Sequence, residues 1–137
     1  FGEIGTFSKE ELKKRISANP RSFCVVARIG EQILGFAWAY VKKIESKDVL
    51  YISGIGRKAA ASRLGIGDDL MKEVVAASGQ IPLCLNVRES NESAIKLYDK
   101  YGFIALPKIK DNENYYEAPV EDAILMVRLP EAQQNAV

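Results

Sequence analysis

Residues 91–103, NESAIKLYDKYGF, constrain the fold of this chain more than any other stretch. They read as a short amphipathic helix with a polar start, a glycine stop and a strand behind it. Ala94, Leu97, Tyr98 and Tyr101 recur at helical spacing and share one face. Ser90 or Asn91 can cap the orphan N–H groups, and Glu92 in the first turn suits the helix dipole. Gly102 can take the left-handed conformation that ends a helix, which turns Phe103 into the core. The apolar face carries a phenol, Tyr98. On the residues alone the stronger reading is a packed core-edge tyrosine with a satisfied hydroxyl. The other reading is a rigidly held hydroxyl aimed at whatever approaches the helix.

The remaining segments supply matching elements. Residues 8–17 predict a helix opened by a Ser8/Glu11 capping box and ended by Asn19-Pro20. Residues 22–29 and 33–41 read as a hairpin turning at Gly30-Glu31, and residues 49–55 as a third strand. Residues 67–78 predict a helix with Leu70, Met71, Val74 and Val75 inward and Gly79 at its end. Strands follow at 81–87, 103–109 and 123–129, the last two joined by a polar, Tyr-rich loop. The order α, β, β, β, α, β, α, β, β implies an α/β (α+β) single domain, a mixed sheet covered by helices. The tail after Pro130 is expected to be flexible.

Composition narrows the chemistry. There is no histidine among the 137 residues, so His-based triads, His general bases and most zinc sites drop out, and no metal is expected. A net charge of +1 gives no broad field to attract nucleic acid or membrane, and the interspersed Lys and Arg read as a solvated surface. No apolar run reaches membrane-spanning length. Cys24 and Cys84 sit in apolar strands and read as a reduced, buried pair in a cytoplasmic protein. Asn91-Glu92-Ser93 matches a glycosylation sequon by chance, since it lies on the helix.

Two glycine patterns compete for an anion. Gly54-Ile55-Gly56-Arg57-Lys58-Ala59 follows a strand and fits a dinucleotide fingerprint, but the helix behind it is too short before Gly65. Arg63-Leu64-Gly65-Ile66-Gly67 runs directly into a helix, where glycines, backbone N–H groups and the dipole favour a phosphate. A tight connection with glycines for steric reasons alone is the other reading. Asp68 and Asp69 would repel a phosphate unless both point away.

RLGIG opening a helix, followed by N-x-x-A-x-x-x-Y-x-x-x-G-F, closely resembles the GCN5-related N-acetyltransferase superfamily. Leu50-Tyr51-Ile52, Leu85-Asn86-Val87, Asn114-Tyr115-Tyr116 and Glu121-Asp122-Ala123 narrow the likeness to protein N-terminal (Nα) acetyltransferases, including the ribosomal-protein-alanine and archaeal catalytic-subunit types. The family pattern also has a first strand and a start to its first helix, expected here before Phe1. The resemblance implies a splay between the strand ending at Ile55, Gly56 and Arg57 and the strand at 81–87, as in that family. The pantetheine arm of acetyl-CoA would pair with backbone there. Ser62, Arg63, Leu64, Gly65, Ile66, Gly67 and Asp68 would cradle its pyrophosphate, and Asn91 and Ser93 would touch the pantetheine. Tyr98 would offer its hydroxyl to the thioester sulfur. Tyr51, Tyr115 and Tyr116 would line the slot for an incoming protein or peptide N-terminus. An auxiliary subunit is compatible with this class.

Two positions depart from the family. Ser62 stands where Arg or Gln is usual, which shifts the weight of binding to Arg63 and backbone N–H groups. Asn86 stands where several members carry Glu or His; its amide cannot act as a base and can hold a water or a backbone group. Magnitudes then favour an α-amine: at a reference pKa of about 7.8, roughly one in seven is neutral at pH 7, against about one in 2,500 for lysine. Tyr51 is the candidate to order a water that takes the proton, with a satisfied strand tyrosine as its other reading. Rival functions are transfer to lysine side chains or small amines, and a catalytically weak CoA-binding module.

Overall fold

A computed structural model of the chain describes residues 21–58, 64–107, 110–117 and 119–130. The predicted helix at 8–17, Ser62, Arg63 and the tail beyond Pro130 lie outside the described residues. Three antiparallel strands open the described chain: β1 (Ser22–Ile29), β2 (Gln32–Ile44) and β3 (Lys47–Arg57). The first turn places Gly30 at a φ of +59°, where a glycine is at no steric disadvantage. The second turn was not foreseen. Expected to end at Val41 and resume at Val49, the strands run on to Ile44 and Lys47 through Glu45 (φ +51°) and Ser46 (φ +68°). Two-residue hairpin turns need positive φ and normally advertise it with Asn or Gly. Here the polar KKIESKD run conceals it.

Helix α1 (Ile66–Ser78) follows, then β4 (Leu83–Arg88) and helix α2 (Glu92–Lys100). Strand β4 starts two residues later than expected because Pro82 has no N–H to give a ladder, although its carbonyl accepts the Leu50 N–H at 2.8 Å. Helix α2 has the ends its sequence announces. The Asn91 side chain accepts the Ala94 N–H at 3.3 Å. At the other end Gly102 takes a φ of +88°. Its N–H reaches the Asp99 carbonyl at 3.0 Å while that of Phe103 reaches Tyr98 at 3.1 Å, the paired bonds of a Schellman stop.

Beyond α2 the expected strand at 103–109 shrinks to β5 (Ile104–Ala105). The Leu106 N–H makes one more bond, to Leu125, and Pro107 ends the pairing. The polar loop contains structure of its own: a 3₁₀ turn (Lys110–Asn112) and a small hairpin of β6 (Tyr116–Glu117) and β7 (Val120–Glu121). Strand β8 (Ala123–Arg128) closes the main sheet, whose order is β1-β2-β3-β4-β8-β5. Among the described strands only the β3–β4 pair is parallel.

The core lies between this sheet and the two helices. Leu50 and Ile52 from β3 and Leu83, Leu85 and Val87 from β4 pack with Ile66, Leu70, Met71 and Val74 of α1 and Ala94 and Tyr98 of α2. Ile66 thus joins the inward stripe, while Val75, expected inside, is only half-buried. Alternation along β4 leaves Cys84, Asn86 and Arg88 on the opposite face. Gly35 sets how close α1 comes to β2. A Cβ at this position would stand 2.6 Å from Ile66 Cγ2 and 3.0 Å from the Gly56 carbonyl. Gly35→Ala is therefore expected to destabilise the domain by about 1–3 kcal/mol through overpacking. Urea denaturation of Gly35→Ala, Ile66→Ala and the double variant checks this: the pair should cost less than the sum of the two single changes.

Candidate active site

Strands β3 and β4 are hydrogen-bonded neighbours only at Leu50–Leu83 and Tyr51–Cys84. Beyond those pairs β3 continues to Arg57 against β2, and β4 continues to Arg88 against β8, with no register between them. The splay begins where β3 carries a bulge. Trp38 faces Gly54 while Ala39 faces Ile52, so Ser53 is the inserted residue. A bulge bends its strand and raises its twist, which turns β3 away from β4 immediately after Tyr51. Facing backbone groups of both strands are left without a partner strand in the gap.

Tyr98 belongs to the core cluster beside this gap. It is 2% exposed, and its ring is tilted against Phe103 at 5.7 Å between centroids. Among the described residues its hydroxyl has no hydrogen-bond partner. Burial, then the nearby Tyr116 phenol, pushes its pKa well above the ordinary tyrosine range. The phenol is thus a fixed, neutral donor.

The opposite face of β4 carries a second polar group. Asn86 Nδ2 donates to Tyr51 Oη at 3.0 Å. The amide therefore holds a side-chain hydroxyl, where the sequence suggested a water or a backbone group. Tyr51 stacks obliquely on Tyr40 at 5.6 Å, and the Lys42 ammonium lies 4.2 Å from its ring centroid. Burial raises the Tyr51 pKa above the ordinary range, more than the Asn86 hydrogen bond lowers it; a hydrogen-bonding contact with Tyr115, then the charges its phenol and that of Tyr40 would carry, add to the rise. Tyr51 is no general base at neutral pH. Tyr115 and Tyr116 meet edge to face at 5.0 Å. Arg88 sits 4.3 Å over Tyr116 and pairs with Glu121 at 3.4 Å, while its Nη1 donates to the Pro119 carbonyl at 2.9 Å. Tyr116, pushed up to about 12 mainly by burial, also stays neutral. Glu113 and Glu117, flanking the pair, are exposed.

Next to the splay, a cleft of about 350 Å³ is lined by Arg57 at the end of β3, by Gly65, Ile66, Gly67 and Asp68 at the start of α1, and by Ser93, Lys96, Leu97 and Lys100 along α2. Gly65 caps α1 with a φ of +70° and contributes no side chain, so the first-turn N–H groups are not covered by a capping side chain. Leu64 is exposed beside it. The feared repulsion from Asp68 does not arise in that form. Lys100 Nζ lies 2.6 Å from its Oδ1 and Tyr101 Oη donates to the same oxygen at 2.9 Å. The Lys100 contact first, then Tyr101, holds its carboxyl below the usual range. Asn91 is less available than expected, because its Oδ1 caps Ala94 and accepts the Ser93 hydroxyl at 3.3 Å. Lys96 and Lys100 were read as solvated surface. Their spacing from Ser93 puts all three on one helix face, and that periodicity was the available signal.

A mixed sheet parted between its parallel strands, with a glycine-led helix start beside the parting, defines an α/β domain suited to an extended ligand that carries an anionic group. The Acetyltransferase (GNAT) family matches residues 3–103, and the chain belongs to that family: it is an acetyltransferase whose acetyl donor is acetyl-CoA. N-alpha-acetyltransferase 50 of Danio rerio is 30% identical over 136 aligned residues, spanning 85% of this chain and 79% of that protein. Arabidopsis thaliana Naa50, solved with the bisubstrate analogue CoA-Ac-MVNAL, superposes with a TM-score of 0.69 at 25% identity, covering 89% of this chain and 81% of that one. Chaetomium thermophilum Naa20, also solved with a bisubstrate analogue, gives a TM-score of 0.77 at 20% identity over 95% of this chain and 77% of that one. Among the described residues no helix is long and apolar enough to cross a membrane, and no three His, Cys, Asp or Glu side chains converge.

Burial of Tyr98 has a consequence for stability at alkaline pH. Its folded pKa is raised, so above about pH 10 the unfolded chain loses this proton while the native one keeps it. Native stability falls as pH rises through that window. Tyr98→Phe should remove one proton's worth of the slope, up to about 1.4 kcal/mol per pH unit. Denaturation of both proteins at pH 9, 10 and 11 reads the difference.

Proposed function

We propose that the chain transfers acetyl from acetyl-CoA to the α-amine of polypeptide N-termini by direct attack, with no acetyl-enzyme intermediate. The observation that carries this reading is the pairing of Tyr51 with Asn86, two groups neither of which is a base at neutral pH. An α-amine presents a sizeable neutral fraction unaided; a lysine ε-amine does not. The likeness to N-alpha-acetyltransferase 50 supports the same acceptor.

In this reading Tyr115 and Tyr116 flank the acceptor, and Tyr51 orders the water that carries the amine proton away. The amine nitrogen attacks the thioester carbonyl carbon, its extra proton passes to that water, and the carbon–sulfur bond breaks. Tyr98 donates a hydrogen bond or its proton to the departing thiolate, a role suited to a neutral, immobile phenol whose oxygen no side chain engages. Backbone along Ile55, Gly56 and Arg57 pairs with the pantetheine. Arg57, Lys96 and the α1 N-terminus from Gly65 to Gly67 attract the pyrophosphate. Ser93 lines the same path. Lys100 acts indirectly, by neutralising Asp68.

Tyr98→Phe should lower kcat by about 10²-fold with the acetyl-CoA KM nearly unchanged; steady-state kinetics with an unblocked peptide decides, and an unchanged kcat rejects the acid role. Tyr51→Phe should lose most activity at low pH, where neutral amine is scarce; an even loss across pH rejects the relay. N-blocked, Lys-containing peptides that outpace free-N-terminus peptides would move the acceptor to lysine. Lys100→Ala should raise the acetyl-CoA KM several-fold by leaving Asp68 unneutralised in the cleft. Adding Asp68→Asn should reverse the effect.

A further inference from the structure

Asn112, in the 3₁₀ turn of the loop that carries the paired tyrosines, is only 6% exposed. The other buried polar residue of the described chain, Ser78, simply returns its hydroxyl to the Val75 carbonyl at 2.7 Å. Asn112 instead reaches across the structure. Its Nδ2 donates to Asn86 Oδ1 at 3.1 Å, and Asn86 Nδ2 donates to Tyr51 Oη at 3.0 Å. A buried loop amide left unpaired in such a place would lose its hydration with nothing in return. The two bonds make one chain of donors from the loop to the floor of the site.

The order of that chain has a direction. Asn86 has one oxygen and one NH2 group. While Asn112 donates to the oxygen, the NH2 group is the end that meets Tyr51. The Tyr51 oxygen is then an acceptor toward Asn86. Its single proton is left to point elsewhere, and a further lone pair remains for the relay water. Were Asn112 to offer an oxygen, Asn86 would turn over and absorb the Tyr51 proton itself. Tyr51 lies among Tyr40, Tyr115 and Lys42, and the Tyr115 phenol is within hydrogen-bonding reach of its hydroxyl. A phenol oxygen is a weaker acceptor than an amide carbonyl, so an incoming peptide carbonyl takes the Tyr51 proton from it.

We propose that Asn112 is a positioning residue: acting through Asn86, it turns the Tyr51 hydroxyl proton toward the acceptor, where it binds the carbonyl oxygen adjacent to the attacking amine. This rests on the reading of the acceptor as a polypeptide N-terminus. It also supplies a reason for that choice, since only an α-amine carries a carbonyl one carbon away. A lysine ε-amine or a simple amine has none.

The test uses two acceptors, an unblocked peptide and a primary amine of the same side chain with no adjacent carbonyl. Asn112→Asp keeps the shape but can only accept at neutral pH, which reverses the chain of donors. It should lower kcat/KM on the peptide by about tenfold or more, the worth of one such bond, and leave the carbonyl-free amine within about threefold. Differences in amine basicity cancel between wild type and variant. Equal losses on both acceptors, or no loss on either, overturn the proposal. A second measurement does not depend on that variant folding. In Tyr51→Phe, which deletes one oxygen atom, the side-chain amide NMR resonances of Asn86 and Asn112 should both shift; an unmoved Asn112 resonance overturns the relay. A wild type that acetylates only N-blocked lysine peptides overturns the acceptor reading instead, and does so before any variant is compared.

Discussion

Everything distinctive in this domain depends on a ladder that stops. Strands β3 and β4 make two residue pairs and part. Backbone N–H and C=O groups are obligatory hydrogen-bonding partners, and a sheet that leaves a row of them unmatched in its middle is incomplete by design. The bulge at Ser53 bends β3 where the parting begins, and the pairing of β3 with β2 and of β4 with β8 keeps each strand in place on its other side. What results is an opening in the sheet, in a family whose donor carries an amide-containing arm.

The tyrosine and asparagine side chains around that opening stay un-ionised at neutral pH, and the proposed reaction uses them in that state. Tyr51, Tyr98 and Tyr116 are all held neutral, chiefly by burial, and Asn86 and Asn112 have no charge to change. The one carboxylate in the adjacent cleft, Asp68, is tied to Lys100 and Tyr101. Neutral donors placed by packing do not reorganise as charge develops, which is the condition under which electrostatic stabilisation is most effective.

Local signals made helix α2 fully readable. A capping amide, a face at helical spacing and a glycine stop all lie within its own segment, and each appears where the residues put it. The glycines before α1 were equally plain. What escaped reading was non-local or unsignalled. The Glu45-Ser46 turn uses residues that do not advertise positive φ. Strand β5 ended early because Leu106-Pro107 outweighed the apolar run. Asn86 could be seen to be no base, but its partners Tyr51 and Asn112 lie 35 and 26 residues away, and no periodicity links them. Lys96 and Lys100 were visible as a helix face, yet composition alone made them look like ordinary surface.

Strand β5 forms one outer edge of the sheet and is two residues long, with proline just beyond. Exposed strand edges invite pairing with other chains, and short edges interrupted by proline are how soluble sheets refuse it. The domain has an unpaired stretch in its middle that it must keep open. Its β5 rim gives a wandering strand almost no backbone to grip. An added strand therefore finds far more backbone to pair with inside the sheet, beside β3 and β4, than along β5.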